Sequence, residues 1–470
     1  MTTIPSIIQG GMGAGVSGWR LARAVSKAGQ LGVVAGTALD VILARRLQLG
    51  DPGAHMRRAL GHLPLPGVAR RIIERWFIPG GKRADAPFAP MALLAWPMSR
   101  GQEELIVAAN FVEVFLARED HGAPVGINYL EKIQLPTLPS LFGAMLADVG
   151  YVLMGAGVPR SIPRVLDLLA EGVPVELRLD VSGATEEFST AFDPREFCSG
   201  TVPQLERPRF VAIVGSATMA TMMCRKAVGR VDGLVVEGPS AGGHNAPPRG
   251  RMQLDERGEP LYGERDQLDL AAITSLGLPF WMAGSYATPE RLREALAMGA
   301  AGIQVGTAFA YCEESGLAKD IKRRVLDLSR RGTVSVFTDP IASPTGYPFK
   351  VVNLPDTLSE RAASDARVRV CDLGYLRQAY QGPDGRLGWR CPGEPVGSFC
   401  RKGGATEGTQ GKKCVCNGLL ANVGLGQLRR GVPELPFVTS GDDVRTVSRF
   451  LSPGTDRYSA GDVIEQLTTA

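Results

Sequence analysis

The stretch PFWMAGSYATPERLREALAMGAAGIQVGTAF, residues 279–309, decides the fold of this chain. It reads as a short apolar strand, a glycine turn, a helix opened by Thr288-Pro289, a second apolar strand and a second glycine turn. Both apolar runs are continuous rather than alternating, the pattern of parallel strands covered on both faces. Gly284, Ser285, Gly306 and Thr307 stand just past the strand ends, where backbone N–H groups and two hydroxyls can converge on one phosphate. Consecutive strands that each end in such a turn are the late strands of a closed barrel, whose ligands gather at the carboxyl ends of the strands.

Outward from this stretch the same grammar repeats. Apolar runs at 4–9, 31–35, 125–128, 151–154, 210–214 and 233–237 join 279–283 and 301–305 to make the eight strands of an α/β (β/α)8 TIM barrel. A ninth run, Val175–Val181, alternates as VELRLDV and is followed by EEFSTAF, which predicts a hairpin inserted before the fifth barrel strand. Residues 37–124 form a helical insertion after the second strand. Within it Val68, Ile72, Ile73 and Trp76 share one face while Arg70, Arg71 and Arg75 lie among the polar positions, as in a solvated outer helix, a cap over the barrel or an oligomer contact. We therefore assign residues 1–328 to the barrel with its insertion, and residues 329–470, rich in Pro, Gly and Cys, to a C-terminal lobe or lid.

The bulk numbers agree. With 470 residues, 44% hydrophobic and 21% charged, the chain can bury a full barrel core and still build a second lobe. A net charge of +4 is too mild for a nucleic-acid binder and suits a small anionic ligand. No leader-like opening and no span of bilayer length is found, so a cytoplasmic protein is expected.

The first unit offers a competing cofactor reading. Gly13-Ala14-Gly15-Val16-Ser17-Gly18 matches G-x-G-x-x-G, and Asp40 stands where a ribose-binding acid would be sought. The strand, however, ends at Gln9, so the fingerprint begins several residues late for a dinucleotide fold. Ser17 is read as the N-cap of the following helix and Gly29 as its stop.

Of the four histidines, His55, His62 and His121 lie in helical or loop sequence without an evident partner, whereas His244 follows the sixth strand in GPSAGGHNAP. There Gly242 and Gly243 permit close approach to a ligand, and an imidazole can take a proton from a carbon acid or hold the resulting anion. Cys198, Cys224 and Cys312 read as isolated thiols. Cys371, Cys391, Cys400, Cys414 and Cys416 crowd the C-terminal region without a C-x-x-C pair. Ordinary thiols are the leading reading, ahead of zinc or an iron–sulfur cluster and then of a redox disulfide. FTDPIASPTGYPFKVV, residues 337–352, is read as a flap able to bring Tyr347 or Lys350 to the mouth of the barrel.

Three segments, IIQGGMGAGVSGWRLARAVSKAGQLGVV at 7–34, VVEGPSAGGHN at 235–245 and MAGSYATPERLREALAMGAAGIQVGT at 282–307, resemble in order the signatures of the nitronate monooxygenase family, formerly 2-nitropropane dioxygenases. The resemblance spans approximately residues 4–315 and implies a TIM-barrel flavoprotein using FMN. By it, Gly11 and Met12 would line the flavin, Asn128 and Glu237 would contact its ring or ribityl chain, and Gly242 and Gly243 would admit backbone beside it. Gly284, Ser285, Gly306 and Thr307 would hold its phosphate, with His244 as base or anion-positioning group. The family usually has glycine where Ser285 stands, a lysine near its fifth strand has no counterpart in FVAIVGSAT at 210–218, and the C-terminal lobe is additional. The resemblance thus implies an FMN-dependent oxidoreductase oxidising a small anionic or carbon-acid substrate with O2. The alternatives are an NAD(P)H-dependent FMN enoyl or quinone reductase on the same barrel, and a flavin-free phosphate-binding lyase or isomerase.

Overall fold

The computed structural model describes residues 4–469. Eight short parallel strands carry the fold: Ile7–Gln9, Gly32–Ala35, Val125–Leu130, Tyr151–Gly155, Arg209–Val214, Gly233–Glu237, Phe280–Ala283 and Gly302–Val305. Each pairs in parallel with its sequence neighbours, and the first also pairs with the eighth, Ile7 opposite Ile303. A parallel bridge from Ile8 to Leu31, with Gln9 N donating to Leu31 O at 2.9 Å, joins the first strand to the second and closes the ring. All eight expected strands are present, which makes the (β/α)8 barrel.

Two packed layers follow from the period of two along a strand. Ile8, Val33, Tyr151, Leu153, Val211, Val235, Trp281 and Ala283 form one apolar cluster that fills the barrel interior. Their neighbours, such as Ile7, Val34, Val152, Phe210, Leu234 and Met282, pack outward against the helices. Trp281 is large enough to reach the floor of the barrel, where its indole N–H donates to Pro5 O at 2.8 Å.

The insertion after the second strand holds helices Leu39–Gln48, His55–Gly61, Pro66–Trp76 and Arg100–Arg118. Val68, Ile72 and Trp76 are buried against the other helices, and Arg71 on the outer side forms a bidentate pair with Glu104. The hairpin before the fifth barrel strand is Val175–Arg178 against Ser189–Phe192. Ser17 is not the N-cap: Gly18 holds that position, while the Ser17 hydroxyl accepts from Met12 N at 2.9 Å and from Gln9 Nε2 at 2.9 Å. It is spent on bracing the glycine loop. Asp40 is likewise structural, because it is buried, accepts a hydrogen bond from the Tyr375 hydroxyl and has its acidity weakened by that burial.

Beyond residue 329 the chain returns to the barrel. Strands Val336–Asp339 and Phe349–Val352 form a hairpin whose second strand pairs with Gly243–His244, in register His244 opposite Phe349. A second hairpin, Gln378–Gln381 with Leu387–Arg390, adds to Val181–Ser182. No helix among the described residues is long and apolar enough to cross a membrane.

Candidate active site

The carboxyl ends of the barrel strands open into one cavity, and every residue expected to serve the site lines it. Gly11, Met12, Asn128, Glu237, Gly242, Gly243, His244, Gly284, Ser285, Gly306 and Thr307 all contribute to its wall. Asn128 and Glu237 come from the third and sixth strands and the others from the loops after the first, sixth, seventh and eighth strands, the end of a barrel where ligands bind.

Two glycines are required by close approach. A Cβ on Gly11 would stand 2.4 Å from the Cβ of Asn128, and one on Gly242 would stand 2.6 Å from Gly441 N. In the same cavity wall, Ser285 holds φ +56°, a left-handed conformation that favours glycine over a residue with a side chain. The Thr307 hydroxyl accepts from Gly441 N at 2.9 Å, which leaves its own proton for a ligand.

Three buried polar atoms that line the cavity have no protein partner: Asn128 Oδ1, Ser285 Oγ and Gln304 Oε1. A buried polar group without a partner costs about 1–3 kcal/mol. Their placement around one cavity therefore fits a ligand that supplies hydrogen bonds at several points along its length. A flavin mononucleotide, with a polar ring edge, a hydroxylated chain and a phosphate, meets that description.

His244 is held by the C-terminal segment. Its Nε2 lies 2.7 Å from the hydroxyl of Ser343, which is 0% exposed and itself bonded to Thr345 Oγ1 at 2.9 Å. Phe349 packs edge-on at 4.8 Å and Tyr347 at 6.5 Å between ring centroids. Burial, and then the positive charge of Lys132, push the imidazole down to about 4, so the neutral ring is the form present at pH 7. Lys132 in turn lies 4.8 Å over the Tyr347 ring. The Ser343 contact engages Nε2 and leaves Nδ1 for a ligand.

Glu237, at the end of the sixth strand, is raised to about 7 by burial. Two titratable groups in one cavity are thus displaced in opposite senses, the histidine toward its neutral base and the carboxyl toward its neutral acid.

The sequence reading missed what comes from far along the chain. Thr439, Ser440, Gly441 and Asp443 line the cavity, with Gly441 against Thr307, and Tyr375, Leu376 and Cys416 also contribute to its wall. Burial raises Asp443 above the usual carboxylate range, against the pull of Arg449. Gln304 was signalled by a polar residue inside the apolar run GIQVG, but the distant segments carry no motif. The flap at 337–352 does bring Tyr347 to His244, whereas Lys350 is 4% exposed and paired with Asp442 at 3.0 Å instead of facing the cavity. No three His, Cys, Asp or Glu side chains among the described residues are arranged to hold a metal ion.

Comparison with known proteins places residues 170–342, the later half of the barrel and its hairpin insertion, in a match to the nitronate monooxygenase family model. Among curated proteins, a "(3aS,4S,5R,7aS)-5-hydroxy-7a-methyl-1-oxo-octahydro-1H-indene-4-carboxyl-CoA dehydrogenase" of Mycobacterium tuberculosis is 30% identical over 29% of this chain and 34% of that protein. A probable nitronate monooxygenase of Bacillus subtilis is 33% identical over 22% of this chain and 28% of that protein. The matched segments thus span about a third of the length of these relatives. A solved structure of nitroalkane oxidase from Streptomyces ansochromogenes aligns with 98% of this chain and 94% of that one, at 16% identity and TM-score 0.47.

Proposed function

We propose, from the match of residues 170–342 to the nitronate monooxygenase family model, that this chain is an FMN-dependent oxidoreductase acting on a small anionic carbon acid such as an alkyl nitronate, with O2 as acceptor. The observation that carries this reading is the cavity itself, where glycine loops, three unpartnered polar atoms and a neutral histidine meet at the carboxyl end of the barrel.

FMN, when bound, supplies the electron-accepting ring, and the protein supplies position and charge. Gly284, Ser285, Gly306 and Thr307 would hold its phosphate through backbone N–H groups and the two hydroxyls. Asn128 and Glu237 would meet the ring or ribityl chain, and Gly11, Met12, Gly242 and Gly243 would let backbone pass beside it. Glu237, kept largely neutral by burial below pH 7, there brings a hydrogen-bond donor rather than a second negative charge.

His244 acts on the substrate. As a neutral imidazole in the cavity wall with Nε2 held by Ser343, it would use Nδ1 to accept a proton from carbon or donate to an anion according to its tautomer. Its depressed basicity favours holding an anion that is already formed over removing a proton from a weakly acidic carbon. Lys132, beside Tyr347, adds positive potential at the mouth and draws an anionic substrate inward. The segment after residue 328 serves as a cover, because Ser343, Tyr347 and Phe349 enclose His244 and would exclude water from it.

The second reading, an NAD(P)H-dependent reductase on the same barrel, is separated by anaerobic mixing. The FMN-loaded protein is expected to lose its visible flavin absorption with an alkyl nitronate and to keep it with NADPH. Bleaching by NADPH alone would transfer the assignment to the reductase.

A further inference from the structure

A neutral imidazole carries one ring proton, and the hydrogen bond made at one nitrogen decides which nitrogen holds it. At His244 that bond is to a hydroxyl with further partners. Nε2 lies 2.7 Å from Ser343 Oγ, Thr345 N donates to the same oxygen at 3.2 Å, and Thr345 Oγ1 lies 2.9 Å from it. Thr345 Oγ1 in turn accepts from Tyr347 N at 3.3 Å. The hub is fixed from outside. Ser343 is fully buried, and its carbonyl accepts from Lys412 Nζ at 2.9 Å and from Gly346 N at 3.2 Å. The backbone of His244 is tied to the same segment by its register with Phe349 and by Asn245 N donating to Pro348 O at 2.9 Å.

A hydroxyl donates one proton and accepts at two lone pairs, so the contacts around Ser343 can be counted. Two arrangements are compatible with them. In the first, Ser343 donates to His244 Nε2 and accepts from both the N–H and the O–H of Thr345. Each hydroxyl proton then has an acceptor and both Ser343 lone pairs are filled. In the second, Nε2–H donates to Ser343, which passes its own proton to Thr345 Oγ1. That oxygen already accepts from Tyr347 N, and among the described residues no acceptor receives the Thr345 proton, which then depends on solvent. Only the first arrangement closes the network within the protein.

Resting on the reading of His244 given above, we propose that Ser343 and Thr345 hold it in the Nδ1–H tautomer, so that the imidazole meets substrate as a hydrogen-bond donor. It then positions an anion instead of taking a proton from carbon. Ser343 and Thr345 are positioning residues that act through the ring. A proton added at Nε2 would have to reverse the hydroxyl chain and expel the Thr345 proton from it, which works in the same direction as burial and Lys132 in keeping the ring neutral. The donor and the positive charge of Lys132 over Tyr347 both favour an anion.

The test is nitrogen NMR of the isotope-labelled histidines in the full-length protein with FMN added and no substrate, His244 being assigned by its loss in His244→Gln. The expected spectrum has Nδ1 as the protonated nitrogen of His244 and Nε2 as the unprotonated one. Thr345→Val removes the other acceptor for the Ser343 proton and should leave that pattern unchanged, whereas Ser343→Ala should abolish it. A proton on Nε2 in the wild type would overturn the proposal. So would a change of tautomer in Thr345→Val, or an unaltered Nδ1–H pattern in Ser343→Ala. If Ser343→Ala does not fold, the wild-type and Thr345→Val spectra decide. The tautomer is read whether or not an alkyl nitronate bleaches the flavin, so its failure and the failure of the substrate assignment are separate results.

Discussion

His244 and Glu237 share one cavity but respond to it in opposite directions. The histidine falls from its usual 6.5 to about 4, so between these values the unfolded chain binds a proton that the folded chain does not. Its contribution to stability is complete above pH 6.5 and is lost as pH falls toward 4. Glu237 rises from 4.5 to about 7, so its contribution is complete below pH 4.5 and is lost as pH rises toward 7. At about 1.4 kcal/mol per unit, each is worth at most about 3.5 kcal/mol, and in the wild type the two slopes offset each other. Glu237→Gln should therefore make stability rise more steeply between pH 4.5 and 6.5, and His244→Gln should make it fall over the same range. Urea midpoints across that range check both signs, and unchanged slopes would show that neither group titrates as its burial implies. His244 was legible in the sequence because two glycines and a strand end frame it. The offsetting carboxyl was legible only as a ligand contact, since its lack of a partner is a property of the folded cavity.

At the scale of elements, the barrel strands were readable because each is a short apolar run buried on both faces, and burial is what such a run requires. Ser17 was misplaced by the same kind of reasoning. A serine before a helix suggests a cap, yet the hydroxyl is taken by Met12 N and Gln9, whose own Oε1 accepts from Val33 N at 3.0 Å. The contact between the loop after the sixth strand and the chain at 440–441 could not be read, because it joins residues almost two hundred apart without a motif. It makes a prediction about Gly242→Ala. The added Cβ would meet backbone at 2.6 and 2.7 Å, so one element must yield, at a cost of about 1–3 kcal/mol. Gly101→Ala, on the helix Arg100–Arg118 with nothing within 4 Å of the new methyl, should instead stabilise by about 0.5 kcal/mol. Denaturant titration of the two variants should give opposite signs.

For the whole molecule, the functional cavity is built from both ends of the chain. The barrel supplies the glycine loops, Asn128, Glu237 and His244, while residues after 329 supply Phe349, Thr439, Ser440, Gly441 and Asp443 to the wall and hold His244 through Ser343 and Tyr347. The repeated strand, turn and helix grammar made the first set legible, because a closed barrel sends all its carboxyl-terminal loops to one face. The second set depends on where a long tail folds back, which local pattern does not determine. The central claim is that this composite cavity binds FMN and that His244 works upon the substrate and not upon the fold. The direct measurement is the visible absorption of FMN-loaded wild type and His244→Ala protein, mixed anaerobically with an alkyl nitronate. The account predicts that both take up FMN, that the wild type bleaches, and that the variant bleaches at least about a hundredfold more slowly, the scale of a positioned acid–base group. Failure of the wild type to take up FMN, or equal bleaching rates in the two proteins, would contradict it.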